Sequence, residues 1–197
     1  MSEDNADHIC PHYNFPFIKY FLRHRKIYLW GTIEEHNTLF IVSALLYLAD
    51  KNKDPIYLYI NSDGGDCHQM AAIFDTMEKV KNDGITIYTI CVGEACSAAA
   101  FLLMNGSDGS RIASPNSSIM IHQLEYSLDL DSAGKNKKYT EFVHQQNENF
   151  IELMATMCKK TTNAKLRKFK EDISGGDLWF TAKEAQKYGI VDSVSDI

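Results

Sequence analysis

Ile85-Thr86-Ile87-Tyr88-Thr89-Ile90-Cys91-Val92 runs straight into Gly93-Glu94-Ala95-Cys96-Ser97-Ala98-Ala99-Ala100. The first eight residues are β-branched and aromatic almost without interruption, as in a strand buried on both faces. The alanines lead into Phe101-Leu102-Leu103-Met104, which reads as an apolar helix from Ser97 to about Asn105. Upstream the pattern repeats. Ile56-Tyr57-Leu58-Tyr59-Ile60 is an apolar run, and after Asn61-Ser62-Asp63-Gly64-Gly65-Asp66 the residues Met70, Ile73, Phe74, Met77 and Val80 recur at helical spacing. Strand, helix, strand, helix predicts an α/β fold with parallel pairing and right-handed crossovers.

Earlier still, Lys26 to Gly31 reads as a first strand, and Leu39, Val42, Leu45, Leu46 and Leu48 mark a helix that stops at Asp50-Lys51-Asn52-Lys53-Asp54-Pro55. The aromatic patch from Phe17 to Leu22 reads as a helical turn that packs in the core or against a subunit. Residues 1–16 are polar and broken by Pro11 and Pro16, and we read them as an arm ahead of a single domain spanning 17–197. Downstream, short strands are expected near Ser110–Ala113 and Ser117–Ile121, an irregular acidic stretch at 124–132, and a long helix from Lys135 to about Lys160. A helix near Ala164–Phe169, a turn over Ile173–Asp177 and the segment Ala182–Gly189 finish the chain.

Composition bounds the function. The 197 residues carry a formal net charge of −6, which argues against nucleic acid as the main partner. No stretch has the apolar length of a membrane span, so the expectation is a cytoplasmic protein with no membrane partner. Five scattered cysteines without a C-x-x-C pair suggest neither a disulfide framework nor a metal site.

Three loops at the carboxyl ends of strands are polar or small: Asn61–Asp66, Gly93–Ser97 and the turn after His122. Ligands in open α/β sheets bind outside such ends. Acyl transfer through serine needs a nucleophile, a base, an orienting acid and oxyanion donors. Ser97 is the nucleophile candidate and His122 the base; Gly65 and Ala98 are placed to supply backbone N–H groups. Each has a plainer reading. Ser97 also suits a helix cap, Gly64-Gly65 an ordinary turn, and His122 a structural role at a strand end. Cys96 reads as core rather than as a thiol nucleophile.

From about residue 26 to 195 the sequence resembles the proteolytic subunit of the Clp protease, the ClpP family of serine peptidases. Ile60-Asn61-Ser62-Asp63-Gly64-Gly65 is similar to that family's I-N-S-P-G-G loop, and Gly93-Glu94-Ala95-Cys96-Ser97-Ala98 to its G-x-A-x-S-M turn. Met120-Ile121-His122-Gln123 is similar to its M-I-H-Q, and Phe180 to Asp192 to its F/M-S-A-x-E-A-x-x-Y-G-L-V-D tail. The resemblance implies a Ser-His-Asp endopeptidase on the ClpP/crotonase fold. Ser97 would attack the peptide carbonyl, His122 would carry the proton, and the N–H groups of Gly65 and Ala98 would hold the oxyanion. It also implies two stacked heptameric rings, a tetradecamer, joined through a handle helix at about 135–160. Unfolded polypeptides would be fed by a hexameric AAA+ Clp ATPase that spends the ATP, while the peptidase itself needs no metal or organic cofactor.

The sequence departs from that pattern in several places, and its amino-terminal arm does not resemble the family's pore-gating segment. Asp63 replaces proline, Ala98 replaces methionine, and Leu124 to Asp129 is acidic where the family has a Gly-rich substrate strand. Counting back from the tail sets the family's acid at Ile173; a one-residue insertion within Ser174-Gly175-Gly176 brings Asp172 into the role, with Asp177 as the fallback. Two other readings stand beside the peptidase: a ring subunit with an impaired triad, and an acyl-CoA enzyme of the crotonase fold.

Overall fold

Three apolar runs become neighbouring parallel strands: β1 (Lys26–Trp30), β2 (Ile56–Ser62) and β3 (Ile87–Cys96). The computed structural model describes residues 17–124, 133–159 and 162–196, with the backbone alone for 133–136. The arm expected at 1–16 and most of the acidic stretch 124–132 lie outside the described residues. Beyond β3 the sheet continues through β4 (Arg111–Ala113) and β7 (Ser193–Val194), also parallel. β5 (Ser118–Ile121) pairs with the last residues of β3, and β6 (Leu178–Thr181) runs antiparallel to β5.

The helices follow the sequence pattern. α1 (Ile18–Arg23) precedes β1, and α2 (Glu35–Lys51) and α3 (Cys67–Asn82) link β1, β2 and β3 as crossovers. All seven residues of α4 (Ala98–Met104) are buried, so this short helix is the axis of the core. Complete burial of a Phe, Leu or Met side chain stabilises by about 1.5–3 kcal/mol, which explains why a seven-residue helix holds here and would not hold alone in water. α5 (Ala133–Met157) is the long helix expected at 135–160, and α6 (Asn163–Ser174) and α7 (Ala182–Tyr188) lead back to the sheet.

Some expectations shift. β2 alternates instead of burying both faces: Ile56, Leu58, Ile60 and Ser62 are buried, and Tyr57 and Tyr59 half-buried. The tyrosines stack across strands, Tyr28 on Tyr59 and Tyr57 on Tyr88, each with ring centroids 5.0 Å apart. A phenol suits such a half-covered face because its ring packs while its hydroxyl stays wet. β3 extends past Val92 to Cys96 through an irregular register against β2, Ile60 facing Cys91 but Ser62 facing Ala95. α6 absorbs Ile173 and Ser174, so the expected turn begins only at Gly175.

Two arginines tie ends together. Arg25 sends its guanidinium to the carbonyls of Leu48, Asp54 and Pro55 at 2.9, 2.8 and 3.1 Å, satisfying an acceptor that the end of α2 leaves open and two in the loop that follows it. Arg111, 3% exposed, grips Asp192 through Nε and Nη2 at 2.8 and 2.6 Å and donates Nη1 to the carbonyls of Met157 and Gly189. Burial alone would push the Asp192 carboxyl up, but the bonds from the Arg111 side chain and backbone outweigh it and hold the group below the ordinary carboxylate value. Arg111→Met leaves that carboxylate without its partner, so the unfolding free energy should drop by about 3–5 kcal/mol in a urea titration at neutral pH. A depressed folded pKa stabilises above the unfolded value and ceases to as pH falls through the folded one, so the gap between wild type and variant should narrow in acid. A gap that widened in acid would contradict this account.

Candidate active site

Before the turn that ends β3, a glycine within the strand lets it pass close to β2. Gly93 has φ +93°, and a Cβ there would stand 2.5 Å from the Asn61 side-chain oxygen, which accepts the Glu94 N–H at 3.1 Å. Asn61 thus anchors the irregular register, and the chain emerges at Ser97 with φ 54° and ψ −123°. Such a backbone is uncommon for a non-glycine residue and is held only when its surroundings over-determine it. Here the Ser97 N–H donates to the Met120 carbonyl at 2.9 Å, and the buried α4 begins at the next residue. The Ser97 side chain does not cap α4. Its Oγ lies 2.6 Å from Nε2 of His122.

His122 comes to that position through β5. Cys96 pairs with Met120 and the Ser97 N–H donates to the Met120 carbonyl, so Ser97 and His122 both lie within two residues of that pair. β6 supplies the other side. The antiparallel register matches Met120 with Trp179 and Ile121 with Leu178, and one step further His122 faces Asp177. The Asp177 carboxylate is 3.8 Å from His122 Nδ1, with its side chain 50% exposed. Of the two acid candidates the structure therefore brings Asp177, and not Asp172, to the histidine. α6 continues to Ser174 and keeps Asp172 on the helix, short of the turn that leads to β6. The Asp172 carboxylate instead accepts from the Tyr188 hydroxyl at 3.1 Å and pairs with Lys168 at 2.7 Å. Burial, reinforced by Asp172, pushes the Tyr188 phenol up and keeps it protonated.

Sequence reading missed β6 itself. Leu178-Trp179-Phe180-Thr181 is a run of good strand formers between Gly175-Gly176-Asp177 and a helix start, and that signal would have fixed the acid. It also missed Asn147 of α5. The Asn147 side chain accepts the Leu124 N–H at 3.0 Å and donates to Gln123 Oε1 at 3.0 Å, tying the chain that leaves His122 to the long helix.

The loop after β2 closes against the same turn. A Cβ at Gly64 would stand 2.8 Å from the Ser97 Cβ, and one at Gly65 2.4 Å from the Ile33 carbonyl oxygen, so the main chain approaches where no larger residue fits. Ile33 pins the loop by donating to the Gly64 carbonyl at 2.6 Å and accepting from Asp66 N–H at 3.0 Å. Neither the Gly65 nor the Ala98 N–H has an acceptor among the described residues, and both residues border the cavity that holds Ser97 and His122. That cavity measures about 480 Å³, with one wall formed by Met70, Phe101, Phe150 and Met154.

Cys96 is buried away from the chemistry: desolvation first, then Glu94, pushes its thiol up to about 11, so it holds no thiolate at neutral pH. Among the described residues no group of three or more His, Cys, Asp or Glu is arranged to hold a metal ion, and no helix is long and apolar enough to cross a membrane. Compared with protein-family models, residues 12–197 match that of the Clp protease.

Gly65 carries a specific test of the site. Gly65→Ala sets a methyl against the Ile33 backbone at φ +144°, a misfit that costs more than about 1 kcal/mol. Its melting temperature should fall, and the reactivity of Ser97 toward a fluorophosphonate should fall with it; unchanged labelling would separate the loop from the serine.

Proposed function

The chain belongs to the Clp protease family, and we propose that it is a serine endopeptidase that cleaves unfolded polypeptides through Ser97, His122 and Asp177. The observation that carries the reading is the 2.6 Å approach of Ser97 Oγ to His122 Nε2 at a serine held at positive φ. With the ring proton on Nδ1, toward Asp177, Nε2 accepts the hydroxyl proton as Oγ attacks the peptide carbonyl carbon. The oxyanion forms against the Gly65 and Ala98 N–H groups, which cost no reorganisation because the loop and the helix already fix them. The tetrahedral intermediate then collapses, the C–N bond breaks, and the amine leaves with the proton from Nε2. Water repeats the sequence on the acyl-enzyme.

Asp177 orients the imidazole and stabilises its charged form. At 3.8 Å its carboxylate is just outside hydrogen-bond reach, a gap that a half-exposed side chain crosses by rotation. The same gap is the observation behind the second reading, a ring subunit whose triad is impaired. Nucleophile, base and oxyanion donors are all groups of the chain, so the reading requires no resident metal or organic cofactor. The apolar wall of the cavity fits an uncharged side chain beside the bond cut.

Assembly as two stacked heptameric rings, fed by a Clp ATPase that consumes ATP, completes the proposal. Tyr139 and Phe142 of α5 and Trp30, Leu39 and Leu46 near the other edge expose apolar surface that ring contacts would cover. Among the described residues, Cys67, Cys91 and Cys96 form no disulfide, in keeping with a reducing cytoplasm.

A fluorophosphonate probe should label Ser97 in the assembled protein and fail on Ser97→Ala, which should also lose peptide cleavage. An assembled wild type without adduct would favour the impaired subunit. Asp177→Asn should lower kcat by roughly 10²–10⁴-fold. Asp172→Asn should leave kcat close to wild type; the reverse ranking would return the acid's role to Asp172.

A further inference from the structure

We propose that Asp63 makes the enzyme selective for substrates with a cationic side chain close to the scissile bond, a refinement that rests on the peptidase reading. Asp63 borders the cavity that contains Ser97 and His122, and it directly precedes Gly64, whose missing Cβ would stand 2.8 Å from that of Ser97. The side chain is exposed, and its one hydrogen bond among the described residues, from Thr32 Oγ1 at 3.2 Å, reaches Oδ2 and leaves acceptor capacity on both oxygens.

Among the described residues, the other ionisable groups of the cavity give Asp63 no counter-charge. Asp177 is negative and faces His122, the histidine is neutral when it acts as base, and the Cys67 thiol is held neutral by burial and by Asp66. Among the described residues no lysine or arginine lines the cavity, and the exposed Glu94 acts on Cys96 with the same sign as Asp63. The cleft is thus apolar at the Met70–Phe101 wall and negative at the Asp63 edge. A substrate with an uncharged residue in the first and a lysine or arginine beside the second leaves neither surface mismatched, whereas a carboxylate at that edge meets like charge. Because Asp63 is solvated, the selection is modest and salt-sensitive.

Peptides built around one cleaved bond, with Lys, Gln or Glu scanned through the three positions before and two after it, test the assignment through kcat/KM. At one position wild type should prefer Lys to Gln by roughly two- to fivefold and reject Glu, with the ratios shrinking in high salt. Ratios taken within one enzyme cancel any loss of folded protein. Asp63→Asn, which keeps an acceptor for Thr32, should bring the Lys/Gln ratio near unity, and Asp63→Lys should invert the order of Lys and Glu. Equal cleavage of all peptides by wild type, or a preference that survives Asp63→Asn, overturns the role of Asp63 while leaving the peptidase intact. Absence of cleavage of every peptide, together with no adduct on Ser97, removes the peptidase reading and this inference with it.

Discussion

Strand β5 is four residues long and is paired on both edges, parallel to the end of β3 and antiparallel to β6. The geometry of the site depends on that double pairing. On one side the ladder ends with the Ser97 N–H on the Met120 carbonyl, and on the other its register carries His122 to Asp177. Three side chains far apart in sequence are therefore aligned by backbone hydrogen bonds before any side-chain contact is made. Backbone ladders are suited to this because each bond restricts its neighbours, whereas long side chains holding one another would each lose rotamer freedom.

The turn at Ser97 stores conformational strain, and the core offsets it. A non-glycine residue at positive φ costs of order 1–3 kcal/mol. Immediately after it α4 buries Phe101, Leu102, Leu103 and Met104, each capable of contributing about 1.5–3 kcal/mol. The serine cannot relax without drawing the helix behind it out of register with the core. Gly93, Gly64 and Gly65 belong to the same arrangement: each removes a Cβ where another strand or loop passes within van der Waals contact.

Much of this was legible in the sequence, and the failures have physical causes. The apolar runs of β1, β2 and β3 and the periodic helices between them declare the α/β class because burial selects their composition. The pairing of Ser97 with His122 was readable as chemistry, since a serine at a strand-to-helix turn and a histidine at a strand end match the needs of acyl transfer. Which aspartate stands behind the histidine was not, because counting along the chain ignores that α6 runs on to Ser174 and that Leu178–Thr181 returns as a strand. The half-covered tyrosine face was missed for a related reason: Ile56 to Ile60 looks uniformly apolar until pairing decides which side each ring takes. Asn147 left no local signal, since its partners lie across a stretch of chain with no fixed spacing.

Because Asp177 owes its position to the β5–β6 register, the site's tolerance to change is uneven. Exchanging Leu178 or Phe180 for another strand-forming residue keeps every backbone bond and hence the alignment. Deleting one residue between Asp177 and Thr181 does the opposite. Side chains in a strand alternate with a period of two, so that slip would turn the carboxylate to the other face of the sheet. Along this part of the chain, residue number is under tighter constraint than residue identity, and insertions or deletions should be excluded where substitutions are accepted.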